Sequence, residues 1–301
     1  MYIITALRSA KGNRVEQQDA PFLKEFKIVR FHGEERYPAD DVTAREEPLE
    51  IRLNDQTLVY LMRMPGDDRL LAAGFCLSEG LIEKRDQIEL IRHCTDEAGA
   101  DENGARSSNT QQEAYGSAVA GNLVEIKAKL TGGAERFNAR VIRTGCGGAD
   151  LEQDVDLAGL RVETGSRFTR ESIKRIPDLL LEGQRIFQIS GGTHGAGLFD
   201  TSGAMLAVKE DVGRHNAVDK VLGFMLMMGE SPDDKGLMLS GRLSYEMVLK
   251  AARARIPLVC SVSAPTALGV EVALQTGVTL VGFLRGGSFN VYSHPERIGG
   301  P

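Results

Sequence analysis

Residues 236–284 read "GLMLSGRLSYEMVLKAARARIPLVCSVSAPTALGVEVALQTGVTLVGFL". Three short apolar runs, 236–240, 257–263 and 278–284, have strand length. The two stretches between them, "LSYEMVLKAARARI" and "PTALGVEVALQTG", space their apolar residues as helices do. Strands alternating with helices of this length predict parallel βαβ units with right-handed crossovers, hence a doubly wound sheet, with Gly277 as a helix stop.

Outward from this core the pattern loosens. "GLFDTSGAMLAV" (197–208) predicts two short strands around a Ser-Gly turn, followed by a helix over about 213–228. "TRESIKRIPDLLLEGQRIFQ" (169–188) predicts a helix that Pro177 kinks or divides in two. Nearer the amino terminus, "KEFKIVRF" (24–31), "EPLEIRLN" (47–54) and "TLVYLMRM" (57–64) alternate as half-buried antiparallel strands do, the last two meeting at Asn54 and Asp55. "GDDRLLAAGFCLSEG" (66–80) predicts a helix on that sheet that stops at Gly80, and "NLVEIKAKL" (122–130) returns to strand alternation. Residues 95–122, rich in Gly, Ala, Ser, Asn and acids without a period, form an insertion or long loop. The expected organisation is a smaller, mostly antiparallel α+β lobe over 20–143, a loop over 144–166 and an α/β/α domain over 167–301.

Composition narrows the function classes. Across 301 residues, 36 Lys and Arg stand against 42 Asp and Glu, a net charge of −6. Without a basic cluster this excludes nucleic acid as main partner. The longest apolar run is broken by Pro265, Glu271 and Gln275, so no membrane span is expected. The first residues lack the pattern of a signal peptide, and a soluble cytoplasmic protein is expected. Four scattered cysteines, Cys76, Cys94, Cys146 and Cys260, make neither a disulfide framework nor a paired zinc motif.

In open α/β sheets ligands bind beyond the carboxyl ends of the strands, where loops run into helix starts. Here those ends are 240–242, 261–266 and 285–288. Small and hydroxyl residues there let backbone N–H groups reach a ligand, and Arg242 and Arg285 add positive charge. The combination favours a phosphate-containing, nucleotide-like ligand over plain αβ turns. Two further segments are dense in glycine and polar residues: "SGGTHGAG" (190–197) and "KEDVGRHNAVDK" (209–220), the second gathering Glu210, Asp211, Arg214 and His215 near one helix start. A metal held by His194, His215 and an acid has no ligand spacing behind it, and no intrinsic metal is expected. In "RTGCGGAD" (143–150), Gly145, Gly147 and Gly148 strip side-chain cover from Cys146 and Arg143 favours its thiolate. Cys76 and Cys260 fall in buried patterns and Cys94 is ambiguous. Residue type and spacing leave Cys146 open between a reactive thiol and an idle one.

The strings "SGGTHGAGLF", "KEDVGRHNAVDKVLG", "SGRLSYEMVLKAA", "SVSAPTALGVEVA" and "GFLRGGSFNVYSHPERI" resemble the formate dehydrogenase accessory protein family, FdhD. The likeness covers nearly all of 190–298 and, more loosely, "GFCLSEGLI" and the strands before it. It implies a sulfur carrier and sulfurtransferase that takes sulfur from a cysteine desulfurase as a persulfide. The carrier passes it to molybdenum-bis(molybdopterin guanine dinucleotide), a bound substrate destined for formate dehydrogenase. It implies a cytidine-deaminase-like carboxyl-terminal domain and a homodimer. His194 is followed by Gly195 and Ala196 and no Cys pair exists, so the zinc ligands of a deaminase are missing. By the same resemblance the persulfide falls on Cys146, with Ala149 where members carry a second cysteine. The cofactor segment falls on Phe283, Leu284, Arg285, Gly286, Gly287 and Ser288, with His194, Asp211, Arg214, Ser240 and Ser263 expected to border the pocket. The alternative is a chaperone that binds the cofactor without transferring sulfur.

Overall fold

The structure is a computed structural model and describes residues 16–94, 122–131 and 155–299. In chain order its elements are β1 (Leu23–His32), β2 (Glu35–Ala44), β3 (Glu47–Leu53), β4 (Gln56–Arg63), α1 (Asp68–Ser78), β5 (Ile88–Cys94) and β6 (Leu123–Ala128). They continue with β7 (Phe168–Thr169), α2 (Arg170–Gly183), α3 (Arg185–Ser190), β8 (His194–Asp200), β9 (Met205–Asp211), α4 (Arg214–Met228) and β10 (Lys235–Leu239). Last come α5 (Tyr245–Arg253), β11 (Leu258–Ser261), α6 (Ala267–Thr276), β12 (Thr279–Arg285), β13 (Ser288–Ser293) and β14 (Ile298–Gly299).

The central sheet has six strands in the order β13-β12-β11-β10-β8-β9. β10, β11 and β12 run parallel, while β8, β9 and β13 pair antiparallel with their neighbours. Alternation along each strand sends side chains to two helical layers. Leu237, Leu239, Val259 and Leu280 join a core with α4, α5 and α6. Met238, Leu258, Cys260 and Val281 join a second core with Ile173, Ile176 and Leu180 of α2. The result is α/β/α, but the expected double winding of the parallel strands is corrected. β10, β11 and β12 follow one another in order, so right-handed crossovers place α5 and α6 on the same face. The opposite face is closed by α2, which precedes the sheet in sequence.

Pro177 does not divide the helix, since α2 runs through it to Gly183; the break falls at Gln184, between α2 and α3. An interior proline costs roughly 3 kcal/mol. Burying Ile173, Ile176 and Leu180, all at most 2 % exposed, contributes about 1.5–3 kcal/mol each and outweighs it.

The amino-terminal part forms a four-stranded sheet, β4-β3-β6-β5, with two antiparallel pairings and one parallel. Asn54 and Asp55 join β3 to β4 with φ of 51° and 67°, the left-handed geometry of a tight hairpin turn. Beside it β1 and β2 form a separate ribbon. Alternation did not reveal β2, whose Pro38 and paired acids at 40 and 41 break the pattern, nor β5 and β13.

One apolar core runs from β3, β4 and α1 through α4 and α5 to the six-stranded sheet. Buried charges fix these helices against one another. Lys250 on α5 bonds both carboxylate oxygens of Asp219 on α4, at 2.9 and 3.0 Å, and Ser78 Oγ on α1 at 2.7 Å. Burial works against the Lys250 charge, but the carboxylates of Asp219 and Glu79 more than offset it and hold the ammonium above the ordinary lysine range.

Candidate functional site at the carboxyl edge of the central sheet

The three parallel strands end at one edge, and β8, antiparallel to β10, begins there. His194 opens β8 and stands opposite Asp211, the last residue of β9. After Asp211 the chain enters α4 through Gly213, which puts Arg214 and His215 in its first turn.

Of the polar residues expected here, the structure separates those used internally from those left available. Asp211 is fully buried. Its Oδ1 accepts from the Gly213 N–H at 2.9 Å and Asn216 Nδ2 at 3.0 Å; its Oδ2 accepts from the Met64 N–H at 3.1 Å and pairs with Lys220 Nζ at 2.7 Å. Its oxygens are thus engaged in holding the α4 start to the β4–α1 connection. Glu210 faces the other way and caps α3, accepting from the backbone N–H groups of Ile186 (2.8 Å) and Phe187 (2.7 Å) and from Thr193 Oγ1 (2.6 Å). Burial pushes its carboxyl above the ordinary range against those hydrogen bonds.

His194, Arg214 and Ser240 do come together. A Cβ placed on Gly241 would lie 3.6 Å from Arg214 Cδ and 3.7 Å from His194 Nδ1, so both side chains flank this one backbone position. His194 Nδ1 is 3.3 Å from Ser240 Oγ. That same oxygen accepts the Gly195 N–H at 3.0 Å. Burial first, then the charges of Arg214 and His215, lowers the His194 pKa and favours neutral imidazole. Arg214 Nε is sealed from solvent and takes no partner among the described residues. His215 Nε2 meets Glu246 Oε2 at 2.7 Å, joining the starts of α4 and α5. Glu246 escaped the sequence reading; its one signal was an acid in the first turn of the helix after β10. Farther along the edge, Ser261 Oγ donates to the Gly241 carbonyl at 2.6 Å, and the Phe283 N–H donates to the Ser263 carbonyl at 3.0 Å.

Residues 285–288 were expected to lead into a helix start, and this is corrected. They form the turn of a β12–β13 hairpin, with Arg285 opposite Ser288. Gly286 and Gly287 take φ of 57° and 77°, and a Cβ on either would meet nothing within 4 Å. The turn is open backbone. Arg285 is exposed, its guanidinium 5.8 Å from the Phe283 ring centre. Phe283 has a φ of 55° beside a register shift in the ladder, and Leu284 is buried in the α2-side core. Arg214, Arg242 and Arg285 thus stand along one edge of a chain whose net charge is −6.

Among the described cysteines, burial pushes the Cys76 thiol up to about 12 and the Cys260 thiol higher still, and burial also raises half-buried Cys94. None has the lowered pKa of a nucleophilic thiol. Cys146 and Ala149 lie outside the described residues, as do 95–121 of the expected insertion and 144–154 of the expected loop. Among the described residues no three His, Cys, Asp or Glu side chains converge as a metal site, and no helix is long and apolar enough to cross a membrane.

Residues 44–299 match the FdhD/NarQ family profile. The sulfur carrier protein FdhD of Sulfurisphaera tokodaii is 37% identical over 280 residues, covering 92% of this chain and 99% of that protein. That of Streptomyces avermitilis is 39% identical over 277 residues, covering 90% and 94%. A crystal structure from Desulfotalea psychrophila, assigned to the formate dehydrogenase accessory proteins, superposes with a TM-score of 0.70 at 28% identity, covering 92% of this chain and all of that one.

Proposed function

The chain belongs to the FdhD/NarQ family, and on that premise we propose that it is a sulfur carrier serving formate dehydrogenase, as the names of its relatives indicate. In this reading the Cys146 thiolate attacks the outer sulfur of a cysteine desulfurase persulfide. The new S–S bond forms as the donor's S–S bond breaks, and the donor cysteine leaves as thiolate. Cys146, now a persulfide, would yield its outer sulfur to the reduced molybdenum of the molybdenum-bis(molybdopterin guanine dinucleotide) substrate: the S–S bond breaks as the metal–sulfur bond forms, the metal supplies the two electrons that take the sulfur to sulfide, and Cys146 leaves as thiolate. One thiol suffices for the exchange, so Ala149 in place of a second cysteine is compatible with it. We read the six-stranded α/β/α layer as a cytidine-deaminase-like fold used to hold a nucleotide, in a cytoplasmic homodimer.

One observation carries the cofactor half of the reading: an arginine-lined edge with an open glycine turn on a chain of net negative charge. Arg285 and the free N–H groups of Gly286 and Gly287 suit a phosphate, and Arg214 and Arg242 lie farther along the same edge. From β12 to β8 is three strand spacings, about 14 Å, a span that an extended dinucleotide covers.

The test is incubation with a cysteine desulfurase and cysteine, then mass spectrometry of each cysteine-to-alanine variant. The reading expects a one-sulfur adduct on wild type that Cys146→Ala lacks and the other three retain, together with loss of formate dehydrogenase maturation in Cys146→Ala. Maturation that survives Cys146→Ala, with GDP binding intact, would instead establish the cofactor chaperone.

A further inference from the structure

Ser240 is the hydrogen-bond partner of the His194 ring. Ser240 Oγ accepts the Gly195 N–H at 3.0 Å, and the Ser240 N–H donates to the Gly195 carbonyl at 3.0 Å. The Ser240 hydroxyl keeps its own proton to donate and a second lone pair to accept with, and His194 Nδ1 lies 3.3 Å away. A ring nitrogen that accepts carries no hydrogen, so donation by Ser240 goes with the Nε2–H tautomer and acceptance by Ser240 with the Nδ1–H one. Among the described residues, Nε2 takes no hydrogen-bond partner. Arg214, packed against the same glycine, also has a buried Nε without one. Two side chains on different elements, β8 and α4, thus flank Gly241, each with a nitrogen that has no partner among the described residues.

We propose that His194 is a ligand-binding residue of this edge: Ser240 fixes it as the Nε2–H tautomer, and that N–H, beside the Arg214 guanidinium, takes an anionic phosphate oxygen of the dinucleotide. The proposal rests on the reading of the edge as the cofactor site and adds to it a residue outside the matched 283–288 segment. Neutral imidazole suits the role. Burial and the Arg214 charge hold the His194 pKa below its ordinary value of 6.5, so the ring donates without itself gaining a proton. Gly241 is part of the arrangement because its backbone lies between the two side chains, 3.6 Å from Arg214 Cδ and 3.7 Å from His194 Nδ1 at the position a Cβ would take. A valine there would fill that space.

Two measurements on the full chain test this. Nitrogen-15 imidazole spectra at pH 7.5, with the His194 signals assigned by their loss in His194→Gln, should show protonated Nε2 and unprotonated Nδ1. Ser240→Ala should convert this to a tautomer mixture. Calorimetric titration with GDP should show binding to wild type and a roughly tenfold or greater loss for His194→Ala, as expected for a hydrogen bond to a charged group. His194→Gln keeps an N–H near the Nε2 position and should stay within about threefold of wild type. Gly241→Val should lose binding while its circular dichroism melt stays cooperative. Protonated Nδ1, or equal GDP affinity for wild type and His194→Ala, overturns the proposal and leaves the cofactor reading standing. Failure of wild type to bind GDP overturns that reading, and the proposal with it.

Discussion

Gly74 on α1 and Gly223 on α4 face each other where the two helices cross. A Cβ built on Gly74 would come within 2.7 Å of the Gly223 amide nitrogen and collide with the Asp219 carbonyl; one on Gly223 would collide with the Leu70 carbonyl. The clashing atoms are helix backbone, which no rotamer change relieves. Gly74→Ala and Gly223→Ala should therefore each destabilise the fold, although alanine is the better helix former by about 1 kcal/mol. The expected loss exceeds the roughly 1–3 kcal/mol of ordinary overpacking. Urea unfolding of both variants checks this; stability equal to or above wild type would mean the crossing is looser than described.

The buried Lys250–Asp219 pair predicts an asymmetry between single and double variants. Lys250→Met leaves the Asp219 carboxylate enclosed with, among the described residues, only Ser78 Oγ donating to it, a situation that costs about 3–5 kcal/mol. Replacing both, as Lys250→Met with Asp219→Leu, removes the stranded charge and should recover much of that loss. A double-variant cycle in urea reads the coupling directly, and strictly additive losses would show that the two groups act independently.

These two contacts mark the limit of what alternation can convey. The strands and helices of 236–284 were legible because each buries its faces at its own period. The Asn54–Asp55 turn was legible because few residue types adopt left-handed φ at both positions. Gly74 and Gly223, by contrast, read as ordinary helix residues, since their role depends on two segments about 150 positions apart in the chain. The same holds at the site. "EDVGRHNAVDK" stood out as a polar cluster, yet Asp211, Asn216, Asp219 and Lys220 are spent on partners supplied by the β4–α1 region, β9, α4 itself and α5. Arg214 and His215 alone of its charged and ring side chains remain at the edge. Residue type announced polarity there; only the tertiary partners separate scaffold from binding surface.

His215 and Glu246 predict a pH signature on the acid side. The hydrogen bond from His215 holds the Glu246 carboxyl below its ordinary value of 4.5; burial opposes this, while the charges of His215, Arg214 and Lys250 add to the lowering. A carboxyl lowered in the folded state contributes stability that is complete above its unfolded value and is lost as pH falls through the folded one. The stability gap between wild type and Glu246→Gln should thus hold down to about pH 5 and close as the pH drops further. Urea midpoints at pH 7, 5, 4 and 3 follow it; a gap independent of pH would remove the ion pair from the account.

The β12–β13 turn separates binding from folding. Arg285 is exposed and its guanidinium rests only near the Phe283 ring, so Arg285→Ala should leave Tm essentially unchanged, as surface substitutions do. If the turn holds a phosphate, the same variant weakens GDP binding and flattens its dependence on salt, because an exposed charge pair is screened as ionic strength rises. Gly287→Ala should behave in the opposite sense. Its Cβ meets nothing, but a φ of 77° costs a non-glycine residue about 1 kcal/mol or more, so Tm falls by a few degrees while Arg285 is retained. Paired melts and GDP titrations at two salt concentrations distinguish the outcomes. Unchanged affinity in Arg285→Ala at low salt would move the phosphate site away from this hairpin and toward Arg214 and Arg242.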